Sequence, residues 1–343
     1  MRRAARAAVV LALLAAAAGA VPGRASAHAG LTAPAATSFA ARIGSVPAGL
    51  EARVVDGDQR LWVRASPRVT AYVLGFEGEA YLRFSPAGVA VNVHSPAYYL
   101  NRARPLRPPA SLGPGTVPLW KPVSRGHTYE WHEDRLHSLA ATARTPGSSY
   151  VGRWTIPVLA GGGMTSITGG LWHADPPSLV WFWPIVVLLA CLAAALRLRD
   201  PRVDATAAAV LAAATLGAAT LGRLGRELYG RPTVSTEQLV LVALTCAVAA
   251  ALALLYLRPA WRALAGTVIA SLGIYQGLAL VGTLLHGFVL SVLPAWLERA
   301  AAVTSLAAGI GLLVVVIAGA AFRGGEAQDE EAPRARARPQ PQR

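Results

Sequence analysis

Along this chain the spacing of apolar positions takes two forms. Between residues 50 and 168 apolar and polar positions alternate in short runs. Leu61 and Val63 flank Trp62. Val69, Ala71 and Val73 share one face, as do Ala80, Leu82 and Phe84, then Val89, Val91 and Val93, then Tyr150, Gly152, Trp154 and Ile156. A period of two predicts strands that each bury one face. Asp56-Gly57-Asp58, Ser66-Pro67, Ser85-Pro86-Ala87-Gly88 and Thr145-Pro146-Gly147 break the runs with turn residues. Many short strands without a helix-length periodic segment predict a β-sandwich. The Pro- and Gly-rich stretch 102–122 reads as a long irregular loop, a surface excursion or a binding loop.

Further on, alternation gives way to unbroken apolar runs at about 179–196, 205–222, 239–257, 263–285 and 300–322, each 18 to 23 residues long. That length crosses a hydrocarbon core of about 30 Å at 1.5 Å per residue. Trp181, Phe182 and Trp183 open the first run as an interfacial aromatic belt would. The fold class predicted is therefore an all-β extracytoplasmic sandwich followed by an all-α five-helix transmembrane region.

The first 27 residues read as a secretory signal: Arg2, Arg3 and Arg6, then the apolar run 8–20, then an A-x-A site at Ala25-Ser26-Ala27. The division expected is a signal peptide at 1–27, an exported domain at 28–177, five spans within 178–322 and a disordered cytoplasmic tail at 323–343. Cleavage places residue 28 outside, and five spans return the C-terminus to the cytoplasm. The inner segments hold Arg197, Arg199, Arg202, Arg258, Arg262 and the Arg-rich tail, and the outer loops only Arg223, Arg226, Arg231 and Arg299. That bias follows the positive-inside rule and predicts a multi-pass protein of the cell membrane with its bilayer as partner.

Composition supports this division. Charged residues make up 15% of the chain and mean hydropathy is +0.43, against about 25% charged in ordinary soluble domains. The net charge of +14 would suit nucleic acid, but its Arg residues are dispersed and several flank spans, so no nucleic-acid partner is expected. Cys191 and Cys246 both lie inside apolar runs, so no disulfide staples the exported domain. G-x-S-x-G, H-E-x-x-H and P-loop motifs are missing, and no enzymatic activity is expected. No span has Asp, Glu or Lys near its centre, which argues against an ion path. Gly273 and Gly277 form a G-x-x-x-G, and Ala214, Ala218 and Gly222 recur every fourth residue, a pattern for helix packing, self-association or a membrane-protein partner.

Candidate chemistry rests on histidine. All seven (His28, His94, His127, His132, His137, His173 and His286) fall outside on this topology, and imidazole is the commonest protein metal ligand. After cleavage His28 is the mature N-terminus, offering an amine and a ring nitrogen from one residue, a chelate suited to Cu(II). His132 and His137 bracket Glu133-Asp134-Arg135-Leu136. If the flanking segments pair as a hairpin, their opposed Cβ atoms lie about 5 Å apart and the rings can share a metal; otherwise both face solvent beside an acidic turn. With Met1 and Met164 the only methionines, a thioether Cu(I) site is not expected, and any site is nitrogen- and oxygen-based.

Two resemblances add to this. The start His28-Ala29-Gly30-Leu31 resembles the mature start of CopC-type periplasmic copper-binding proteins, which implies a small copper-binding β-sandwich. Val54-Val55-Asp56-Gly57, Tyr81-Leu82-Arg83-Phe84-Ser85, Asn92 to Ser95, Tyr99-Leu100-Asn101, Trp131-His132-Glu133-Asp134-Arg135-Leu136-His137 and Gly170-Leu171-Trp172-His173 resemble segments of a set of uncharacterised actinobacterial-type membrane proteins. That resemblance implies an exported domain joined to a helical membrane part. The function expected is a membrane-anchored extracytoplasmic binding protein with Cu(II) as candidate ligand at His28, His132 and His137. The rival is a non-metal envelope scaffold or sensor module.

Overall fold

Strands form where the two-residue period lies, and tight turns set their register. The structure is a computed structural model and describes residues 34–102, 104–142, 150–198, 201–230 and 235–336. In chain order come β1 (Ala36–Thr37), β2 (Phe39–Ser45), β3 (Leu50–Val55), β4 (Arg60–Ala65), β5 (Ala71–Leu74), β6 (Ala80–Ser85), β7 (Gly88–Asn92), a short helix α1 (Pro96–Leu100), β8 (Trp120–Ser124) and β9 (Thr128–His132). Two 3-10 turns at Asp134–Leu136 and Ser138–Thr142 precede β10 (Tyr150–Ala160) and β11 (Gly163–His173). The β10–β11 hairpin closes on Gly161 and Gly162, at φ 60 and 80, the two positive-φ positions that a two-residue primed turn requires.

These strands build a seven-stranded antiparallel sheet ordered β2-β11-β10-β5-β6-β7-β8 and a three-stranded sheet ordered β3-β4-β9. Their buried side chains meet in one cluster. Leu61, Val63 and Trp131 come from the smaller sheet, and Val73, Leu82, Phe84, Ile156, Ile167 and Leu171 from the larger. Trp131, Phe84 and Leu61 are among its largest fully buried side chains, and each such apolar side chain contributes about 1.5–3 kcal/mol on leaving water.

The helical half follows: α2 (Trp183–Leu198), α3 (Pro201–Glu227), α4 (Thr236–Leu257), α5 (Arg262–Ala279), α6 (Gly282–Leu285), a two-residue strand β12 (Phe288–Val289) and α7 (Ala295–Arg336). Among the described residues four stretches are long and apolar enough to cross a membrane: Ala205–Glu227, Thr236–Leu257, Arg262–Leu285 and Ala295–Ala318. Of the five expected spans the first is a shorter apolar stretch, Leu179–Ala194. At 1.5 Å per residue it rises roughly 24 Å, less than a typical hydrocarbon core of about 30 Å.

α7 is described as far as Arg336, which lies within the segment 323–343.

Inside the bundle α5 lies against α3 and α7. A Cβ on Gly273 would collide with the Thr215 side chain, and one on Gly277 would lie 2.7 Å from Leu306 Cβ. The close approach that this G-x-x-x-G permits is thus made within the chain itself. Of α4, by contrast, only Gln238, Leu252 and Tyr256 are buried.

The two halves are joined by backbone. β1 pairs antiparallel with β12, Ala36 opposite Val289 and Thr37 opposite Phe288. Leu290 N donates to Ala35 O at 2.9 Å and Val292 N to Gly225 O at 3.0 Å. The ring Nδ1 of His286 lies 2.9 Å from Ser38 Oγ. The sheets therefore rest on one end of the bundle, where α3 ends and α7 begins.

Candidate functional site

Charged side chains collect where the sheets meet the helices. The site starts at the turn between β3 and β4. Asp56 has φ 57, a left-handed conformation that Asp tolerates better than most residues. Gly57 follows at φ 80, where a Cβ would lie 2.5 Å from Thr37 Cγ2. This packs the turn on β1, and Gly57 O accepts from Ala41 N at 2.9 Å. Asp56 is 8% exposed. Its carboxylate pairs with Arg60 at 2.5 Å, and Arg60 also holds Glu130 of β9 at 2.6 Å.

From the membrane side, the last turn of α3 brings Arg223, Arg226 and Glu227, with Tyr229 just beyond. Arg223 pairs with Glu227 at 3.7 Å. These residues and Asp56, Arg60 and Glu130 line a cavity of about 220 Å³, closed by Pro34, Val55 and Leu290. Burial first and the Asp56 charge second raise the pKa of the Tyr229 hydroxyl.

Behind the cavity Glu298 opens α7 with no exposed surface. Ser291 Oγ donates to its Oε2 at 2.7 Å, and its Oε1 is buried without a hydrogen-bond partner among the described residues. Gly222 and Gly225 of α3 leave the space it occupies: a Cβ on Gly225 would lie 2.8 Å from Glu298 Oε2. Arg226 interacts electrostatically with both Glu298 and Asp56. Arg226 thus shares one cavity with the linked Asp56, Arg60 and Glu130 of the smaller sheet, and Glu298 lies against the same turn of α3.

The residues singled out by sequence lie as follows. His28 falls outside the described residues. His132 ends β9 directly opposite Arg60 in the β4–β9 register. His137 Nδ1 lies 2.5 Å from Asp58 Oδ2, an oxygen in a side chain only 2% exposed. This hydrogen bond to Asp58 is the main cause raising the His137 pKa, with burial opposing it. His132 and His137 do not flank a hairpin. The chain after His132 winds through the two 3-10 turns, because Glu133 bends it back on itself. The Glu133 carboxylate caps Arg135 N and takes the Arg135 guanidinium at 2.7 and 2.8 Å. Among the described residues no three His, Cys, Asp or Glu side chains are grouped to hold a metal ion.

The longer sequence motif has a structural role at its centre. Glu133, fully buried, also accepts from Trp131 Nε1 at 2.9 Å and Asn101 Nδ2 at 3.4 Å. Asn101 Oδ1 accepts from Asp134 N. Glu79 receives Ser95 Oγ at 2.6 Å, and Asn92 bridges Ala80 O to the amides of His94 and Leu119. Segments far apart in sequence are thereby tied by buried, satisfied polar groups.

Glu298 and Arg226 were not among the sequence candidates. Both stand at the edges of apolar runs, where a charged residue reads as the outer flank of a span; only the tertiary packing shows that they turn inward. Comparison with protein-family models, curated proteins and solved structures finds no match to this chain.

Proposed function

We propose that this chain is a membrane-anchored extracytoplasmic binding protein whose outer domain is coupled to its membrane helices through the charged junction. On this reading residues 28–177 form a β-sandwich outside the cell, the leader 1–27 is removed, and the C-terminus is cytoplasmic. The shared core of the two sheets supports the sandwich. A fifth crossing by α2 is supported by direction. Trp181 and Phe182 pack with Ala35 and Leu284 near the sheets, whereas Leu192 packs deeper, beside Leu211 and Leu312. α2 therefore leads away from the sheets, and α3 returns to them at Arg226. A span somewhat short for its bilayer is accommodated by local thinning.

The observation that carries the coupling is the shared cavity, which Arg226 of the bundle lines together with Asp56 and Arg60 of the sheets, while the neighbouring Gly225 lies against Glu298. Movement of the β3–β4 turn shifts Asp56 against Arg226, and Arg226 against Glu298. The same turn carries Asp58, which holds His137, so the histidine-bearing edge and the junction share one short segment.

Cu(II) is the candidate ligand, with the mature N-terminal His28 as its primary chelate and His132 and His137 as further donors. The test is calorimetric titration of the purified full-length chain with Cu(II). We predict saturable one-site binding that weakens as pH falls, because protons compete for the amine and the ring. One residue added before His28 should weaken it at least tenfold. No saturable binding at micromolar protein would favour the rival, a sensor or scaffold without a metal.

A further inference from the structure

The seven strands of the larger sheet contain Arg42, Arg83, Lys121 and Arg153 and not one Asp or Glu. The smaller sheet mixes both signs, with Glu51, Arg53, Arg60, Arg64 and Glu130. Register shows where the three arginines point. Arg42 and Arg153 both pair with Gly170, one from each side, while their chain neighbours Ala41 and Trp154 are buried in the core. Arg83 pairs with Tyr72, between the buried Leu82 and Phe84. All three therefore stand on the face turned away from the core. None forms an ion pair with a described residue, and Arg42 and Arg153 are exposed.

Aromatic rings share this face in two groups. In the first, the Arg42 guanidinium lies 5.1 Å from the Trp172 ring, which meets Tyr150 edge-on at 5.4 Å. Both rings cover Gly170, where a Cβ would lie 2.7 Å from Trp172 and 2.8 Å from Tyr150. In the second, Arg83 lies 4.9 Å from Trp120, which is 6.0 Å from Tyr72. Arg83 Nε is buried and has no hydrogen-bond partner among the described residues. Arg153 and Leu159 belong to one strand, and Leu159 is the register partner of Tyr72. At about 3.3 Å per residue, the groups are separated by roughly 20 Å along the strands.

We propose that this face binds an acidic polysaccharide, a sugar polymer carrying carboxylates, which contacts both groups at once. Guanidinium groups bind carboxylates through paired hydrogen bonds, and Arg does so with more specificity than Lys. Aromatic rings pack against the C–H faces of sugar rings. A face of a single sign without internal ion pairs concentrates anions and suffers no competition from its own carboxylates. The separation of the groups selects an extended polymer over a single lipid headgroup. Choosing a glycan over a nucleic acid rests on the exported placement proposed above.

The test uses the full-length protein in neutral detergent and polygalacturonic acid as probe, with dextran as the neutral control. The acidic polymer should bind and dextran should not, and binding should fall steeply as salt rises to about 1 M, where screening acts within about 3 Å. The R42E/R153E pair, at exposed positions, should weaken binding at least tenfold with an unchanged melting temperature. R83Q should weaken it less, by about threefold. Undetectable binding, binding unchanged in R42E/R153E or in folded R83Q, or retention only on anionic lipid vesicles would each overturn the proposal. These measurements do not depend on which side of a membrane the domain occupies, so their failure leaves the topology and the junction reading to their own tests.

Discussion

Asp58 and His137 show what one side-chain pair contributes and when. The carboxylate is buried, the ring is half-exposed, and their hydrogen bond raises the His137 pKa above its usual value near 6.5. A pKa raised by folding means that the pair stabilises the native state fully below the unfolded value and loses that contribution as pH rises through the folded one. With chelator present, the melting-temperature gap between the native protein and D58N should therefore be wider at about pH 5.5 than at about pH 8.5. A gap independent of pH would show that charge plays no part. Because the ring is 55% exposed, solvent screening keeps the effect small. The sequence made His137 conspicuous and left its partner hidden. Asp58 lies 79 residues earlier, and nothing local in Asp56-Gly57-Asp58 says that its first carboxylate turns to the helices and its second to an imidazole.

Elements were legible where a period persisted. The alternating runs became strands, and the turn residues 56–58 and 86–87 fell between them. The apolar runs became helices because a long unbroken run leaves the backbone one way to satisfy its hydrogen bonds in hydrocarbon. Legibility failed where one residue's tertiary contacts decide the local course. Glu133 reads as a surface acid, yet burying it against Arg135 and Trp131 winds the following residues into 3-10 turns and removes the hairpin expected between His132 and His137. The G-x-x-x-G pattern correctly announced close helix approach, but not that its partners are α3 and α7 of the same chain. Gly277→Val should therefore destabilise the protein in detergent by about 1–3 kcal/mol through overpacking against Leu306. Gly217→Ala, with nothing within 4 Å of its added Cβ, should be neutral or slightly stabilising, because Ala exceeds Gly in helix propensity by about 1 kcal/mol. Equal behaviour of the two variants would mean that α5 does not pack as described.

At the scale of the whole molecule, the sheets are held to the helices by strand pairing, backbone hydrogen bonds and the Ser38–His286 contact. Sequence pattern divides the chain into a sheet half and a helical half and is silent on how one meets the other. β1 and β12 are two residues each, too short to announce themselves, and their partners are about 250 positions apart. The central claim, that an exported sheet domain is seated on the outer ends of the membrane helices, is tested most directly at this pair. Thr37 and Phe288 are register partners, with Cβ atoms expected about 5 Å apart, within the reach that a disulfide tolerates after a slight adjustment. With Cys191 and Cys246 exchanged for Ala, a Thr37→Cys, Phe288→Cys variant in intact cells should cross-link within the chain when a membrane-impermeant oxidant is added. Thiols that stay free under that oxidant, or that cross-link only after the membrane is opened, would contradict the account.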